Sequence, residues 1–82
     1  MGGSKIKVFG SYIVDEKLLK GCTSFTVVLI ETHRYDAISI WSTFLCDIET
    51  NKFYWERKFG NDYISAKEDL INRSNGINLK EW

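Results

Sequence analysis

The chain has 82 residues, with eleven basic and eleven acidic side chains and a formal net charge of zero. That length holds one domain with one modest core. The charge balance excludes both a strongly basic nucleic-acid binder and an acidic mimic of nucleic acid. Hydrophobic residues make up 44% of the chain, a globular rather than disordered composition, and no apolar run nears the roughly 20 residues that a membrane span requires.

Met-Gly-Gly-Ser at positions 1–4 reads as a tag or linker remnant, which leaves 5–82 as the domain. The absence of proline, with abundant Ile, Lys and Asn, is the composition of a low-GC coding source. Cys22 and Cys46 are too few for a disulfide scaffold and are expected as reduced thiols in a cytoplasmic protein.

Lys5 to Val14 alternates as a first strand, with Ile6, Val8, Tyr12 and Val14 on one side. Asp15 to Gly21 reads either as a turn of helix, with Asp15 as N-cap and Gly21 just past its end, or as an irregular loop with Leu18 and Leu19 turned inward. Ser24 to Thr32 is the most β-prone stretch. Phe25, Val27 and Leu29 face one way and Val28 and Ile30 the other, the pattern of a central strand buried on both faces. Ala37 to Ile48 is the third strand, Glu49 to Lys52 a polar hairpin loop, and Phe53 to Phe59 the fourth strand.

Pairing Ile48 with Phe53 sets Cys46 opposite Trp55, Phe44 opposite Arg57 and Ser42 opposite Phe59. One face of the hairpin then carries Ile38, Ile40, Phe44, Cys46, Ile48, Phe53, Trp55 and Phe59, with Arg57 as its misfit, at a strand edge or turned outward by a bulge. Ser65 to Glu68 matches a capping box and opens a helix that runs to about Asn75 and stops at Gly76. Ile64, Ala66, Leu70 and Ile71 form its apolar stripe, and the tail from Ile77 to Trp82 alternates as an added strand or a segment lying across the core. The expected fold is α+β: a four-stranded antiparallel sheet with one C-terminal helix packed on one face.

A helix of about three turns covers only part of such a sheet. The opposite face would hold Trp41, Thr43, Leu45, Tyr54, Glu56 and Lys58, a mixture of apolar groups and paired charge that suits a partner. A strongly curled sheet would instead bury Trp41 and Leu45. If the face is open, a two-fold homodimer or a different protein would cover it, with the aromatic residues as hot spots.

Chemistry is sparse. His33, the only histidine, would need a nucleophile such as Cys22 or Cys46 and an orienting group such as Asp36, and nothing in the spacing brings them together. The two cysteines lack paired metal-ligand spacing, so no metal is expected. No glycine-rich phosphate loop or carboxylate pair stands out, so no cofactor and no enzyme is expected. Lys52 to Phe59 interleaves basic and aromatic residues. Tyr54, Trp55, Arg57 and Lys58 would be its contacts if it bound single-stranded nucleic acid.

The hairpin and capped helix, through Asn51 to Trp55 (NKFYW) and Asn61 to Arg73 (NDYISAKEDLINR), are similar to uncharacterised small α+β accessory proteins of low-GC bacteria and their phages. That resemblance implies attachment to a host or phage macromolecule, including inhibition of bacterial defence systems, and supplies no residue-level site. The expected function is therefore a non-enzymatic protein-binding module, with Trp41, Leu45, Tyr54, Glu56, Lys58 and Arg57 as binding candidates. A single-strand nucleic-acid binder is the alternative.

Overall fold

A computed structural model describes residues 7–8, 10–33 and 38–79. Its elements are β1 (Lys7–Val8), β2 (Ser11–Leu18), β3 (Phe25–His33), β4 (Ser39–Asp47), β5 (Phe53–Gly60) and α1 (Tyr63–Ser74). The strands lie in the order β1-β2-β3-β4-β5, each antiparallel to its neighbours. Four long strands and one C-terminal helix give the expected α+β class, and β1 adds a two-residue rung at one edge.

The expected first strand is broken near Gly10, whose φ of +80° makes the turn between β1 and β2. Positions 5, 6 and 9 lie outside the described residues. Asp15 to Leu18 is strand, not a helical turn: Asp15, Glu16, Lys17 and Leu18 pair with Leu29, Val28, Val27 and Thr26. Asp15 caps nothing and instead meets Lys67 of α1 through an ion pair. β3 is central and buried on both faces, as its apolar parities required.

The β4–β5 register differs from the expected one. Cys46 pairs with Phe53, Leu45 with Tyr54, Thr43 with Arg57, Ser42 with Lys58 and Trp41 with Gly60. An extra residue enters β5 opposite Phe44, and another enters before Gly60. Trp55 has a φ of +56° and Gly60 of +59°, so each irregularity is a bulge built on a left-handed residue. A bulge resets side-chain alternation. Phe53, Glu56 and Lys58 therefore share one face, while Trp55, Arg57 and Phe59 turn to the other.

Asp62, not Ser65, caps α1. One carboxylate oxygen accepts from the Ser65 amide at 3.0 Å and the other from its hydroxyl at 2.7 Å. The helix ends as expected at Gly76 (φ +85°), where the Ile77 amide donates to Asn72 O at 2.8 Å and the Gly76 amide to Arg73 O at 2.9 Å. This double bond pattern is a Schellman motif. Ala66 and Leu70 are buried, but Ile71 is exposed and Ile64 is 72% exposed; Asp69 and Arg73 complete the inward stripe instead.

The helix lies over Val27, Leu29 and Leu45, with Val14, Phe25, Trp41, Trp55, Phe59 and Leu79 packed around them. The face assignment made from the sequence is thus inverted. Leu45 is core beneath the helix, and Trp41 is half-buried against Tyr63 at a ring separation of 4.7 Å. A second cluster of Ile13, Val28, Ile30, Cys46 and Phe44 occupies the other side of the sheet.

Candidate docking face

The side of the sheet that the helix covers also receives the helix's polar stripe. Asp69 and Arg73, one turn apart, meet Thr43 and Arg57 on the sheet. The Thr43 hydroxyl donates to Asp69 Oδ2 at 2.6 Å and accepts from Arg73 Nη1 at 3.1 Å. Arg57 Nη1 donates to Asp69 Oδ1 at 2.7 Å. Arg73 is fully buried and also donates from Nη2 to Trp55 O and to Leu79 O, both at 2.6 Å, and from Nε to Leu79 O at 3.1 Å. Arg57 Nη2 holds Asn78 O at 2.9 Å, so the two guanidiniums tie down the segment after the helix. The Trp55 carbonyl is available to Arg73 at the β5 bulge.

Buried charge costs desolvation, and these pairs contribute more to which face is covered than to net stability. Placed over Ile30, Phe44 and Phe53, Asp69 and Arg73 would lose these partners at several kcal/mol each.

The helix-free face carries Ile13 on β2, Val28 and Ile30 on β3, Phe44 and Cys46 on β4, and Phe53, Glu56 and Lys58 on β5. Phe44 and Phe53 touch at a centroid distance of 5.3 Å, and Phe53 keeps 37% of its surface exposed. A groove of about 330 Å³ runs along this face, walled by Ile13, Ile30, Phe44 and Phe53, with Ser42 and Glu56 as polar lining. Ser42 is only 6% exposed, and its hydroxyl makes no side-chain hydrogen bond among the described residues. At the far end, the Ser11 and Thr32 hydroxyls satisfy each other at 2.8 Å.

Of the six binding candidates read from the sequence, Glu56 and Lys58 stand exposed on the helix-free face. Tyr54 is exposed on β5 but pairs with Leu45 rather than with the groove residues. Trp41 and Leu45 lie on the helix side, the reverse of the outer-face placement, and Arg57 lies there too, bonded to Asp69. Trp55 is also packed there, so the aromatic and basic strand envisaged for nucleic acid is split between two faces. Phe44 and Phe53 share a face, as expected from the sequence, but it is the face the helix leaves uncovered; they were missed as groove walls because that face was taken for the interior, while buried Ile13 and Ile30 complete the groove. Arg57, a misfit on its strand, was the visible signal.

Two other places gather polar side chains. Near the helix start, Val14, Asp15, Glu31, Trp41, Tyr63 and Lys67 line a shallow hollow whose charged groups are already paired. His33 ends β3 instead of sitting in a loop. Its Nε2 is 3.1 Å from Glu31 Oε2, the oxygen to which the Ser39 hydroxyl donates at 2.5 Å. The carboxylate stands between hydroxyl and imidazole, so His33 is not placed to take the Ser39 proton. Among the described residues no three His, Cys, Asp or Glu side chains gather as a metal site, and no helix is long and apolar enough to cross a membrane. No family model, no curated protein and no solved structure matches the chain.

Proposed function

We propose that this chain is a non-enzymatic protein-binding module whose docking surface is the helix-free face of its sheet. One observation carries the reading: the helix covers the side with the polar anchors and leaves Ile13, Ile30, Phe44 and Phe53 around a groove. An apolar centre with Ser11, Thr32, Ser42, Glu56 and Lys58 at its margin has the anatomy of a protein–protein contact. The ring of Phe53 is the first candidate hot spot, being apolar, aromatic and reachable. The inhibitor or regulator role implied by the resemblance of residues 51–55 and 61–73 would be one form of such docking.

A photoreactive phenylalanine analogue at position 53, expressed in the source cells, tests this. Irradiation is expected to give a discrete covalent adduct to a polypeptide, absent when the analogue replaces Glu68 on the outer side of α1. Equal, diffuse labelling from both positions would contradict a specific docking face. The adduct mass separates a second copy from a different protein.

A further inference from the structure

Helix α1 stops on the dipeptide Asn75–Gly76, and that pair of residues carries chemistry of its own. An asparagine side-chain amide is open to attack by the backbone nitrogen of the residue that follows it. A side chain on that next residue hinders the attack, and glycine has none. Of the five asparagines, Asn51, Asn61, Asn72 and Asn78 precede Lys, Asp, Arg and Leu; Asn75 alone precedes glycine. The fold itself calls for this neighbour. Residue 76 stands at φ +85°, the left-handed position that ends the helix, and nothing lies within 4 Å of where a side chain would begin.

The same cap holds both reacting groups in check. The Gly76 amide donates to Arg73 O at 2.9 Å, which keeps its proton in place and aims it back at the helix. The Asn75 side-chain amide donates from Nδ2 to Ile71 O at 3.0 Å, so the group to be attacked is folded back along the last turn. Asn75 is nevertheless exposed, and water and base reach it as soon as these bonds open.

We propose that Asn75 is a site of spontaneous modification, converting to aspartate and isoaspartate whenever the C-terminal cap of α1 opens. Base removes the Gly76 N–H proton, and the nitrogen attacks Asn75 Cγ. The new C–N bond closes a cyclic imide as the Cγ–Nδ2 bond breaks, and the side-chain nitrogen takes up the proton and leaves as ammonia. Water then opens the ring. Addition at Cγ restores the normal chain with an aspartate. Addition at the backbone carbonyl leaves the main chain running through the former side chain, as isoaspartate. Water is consumed, ammonia is released and nothing is oxidised. Isoaspartate lengthens the backbone by a methylene, which breaks the spacing behind the bonds from Gly76 and Ile77 to Arg73 O and Asn72 O. Its free carboxylate also stands at the negative end of the helix dipole. Asn78 and Leu79, whose carbonyls Arg57 and Arg73 hold, follow directly, so the change loosens the segment that straps helix to sheet.

Prolonged incubation of the full chain in mildly alkaline buffer, folded and in urea, tests the proposal, with each asparagine followed by peptide mapping. In urea, conversion is expected to be fastest at Asn75. In the folded chain the Asn75 rate should fall by about tenfold or more, because the cap must open first. Leu79→Ala, confirmed folded by its thermal melt, removes a side chain packed on the core but leaves the dipeptide intact. It should raise the folded rate severalfold and leave the rate in urea unchanged. The isoaspartyl chain, more acidic and separable by ion exchange, should melt several degrees lower than the original. Conversion in urea no faster at Asn75 than at Asn51 or Asn61 overturns the site. Equal rates in the folded and unfolded chain overturn the gating by the cap, as does a folded rate that Leu79→Ala leaves unchanged. An isoaspartyl chain with the original melt overturns the effect on the strap.

Discussion

Arg73 is the residue on which the helix–sheet contact turns. It has no exposed surface and reaches Thr43, Trp55 and Leu79 from one guanidinium. Arg73→Ala strands those acceptors and leaves Asp69 with less compensation, so a loss of about 3–5 kcal/mol in denaturant unfolding is expected. That is a large share of the roughly 5–15 kcal/mol available to a small domain. Thr43→Val, which removes one hydroxyl from the same network, should cost about 1–3 kcal/mol; a change near zero would show the network to be incidental. The thiols give an independent check on packing. Burial pushes the Cys46 thiol above its ordinary range, and the nearby Glu16 and Asp47 carboxylates add to the effect. A thiol reagent at mildly alkaline pH should therefore modify half-buried Cys22 first and reach Cys46 only as the chain unfolds. Equal rates would contradict a packed helix-free cluster. At this scale the sequence was partly legible: Arg57 was conspicuous as a charge on an apolar strand, but its partner Asp69 was not among the stripe residues Ile64, Ala66, Leu70 and Ile71. Nothing local indicated that the same stripe carried Arg73 inward.

The elements were read more successfully than their faces. Central β3, the Asp47 to Lys52 turn and the Gly76 stop all follow from local chemistry, because apolar parity and left-handed turn residues act over a few positions. Asn51 sits at φ +60° in that turn. Asn51→Gly should be neutral or slightly stabilising, whereas Asn51→Val should lose about 1–2 kcal/mol in chemical denaturation. Register was not legible, since a strand of mixed polarity tolerates an inserted residue and each insertion exchanges the faces beyond it. The expected pairing of Ile48 with Phe53 placed the loop at Glu49 to Lys52; the Asp47 amide instead donates to Lys52 O, which sets Phe53 against Cys46, and the Trp55 bulge then exchanges the faces beyond it. The strand at Asp15 to Leu18 was hidden for another reason: Asp15 faces a helix more than forty residues later in sequence, through Lys67. That ion pair has a pH signature. The Lys67 ammonium holds the Asp15 carboxyl below its ordinary value of 3.8. The stability it adds is present above that value and is lost as the pH falls through the lower folded value. Thermal melts of wild type should lose stability on that acid limb, and Asp15→Asn should flatten it. An identical limb in both proteins would assign the acid sensitivity to other carboxylates.

For the whole molecule, the lesson is that strand irregularities decide which side of a sheet is richer in apolar groups: the β5 bulges carry Trp55 and Phe59 to the side that the helix covers. Unbroken alternation made the face of Ile40, Phe44 and Cys46 look like the interior; with Trp55 and Phe59 turned from it, the helix packs on the other side, where Thr43, Arg57, Asp69 and Arg73 are bonded to one another. The proposed docking face follows from that choice. Accessibility to a soluble gadolinium chelate, read residue by residue from NMR relaxation in dilute protein, tests the choice most directly. Phe53, Glu56 and Lys58 should relax strongly, while Thr43, Leu45 and Leu70 should be protected. Strong relaxation at Thr43 and Leu45, with Phe53, Glu56 and Lys58 protected in the same dilute sample, would put the helix on the other face and contradict the account.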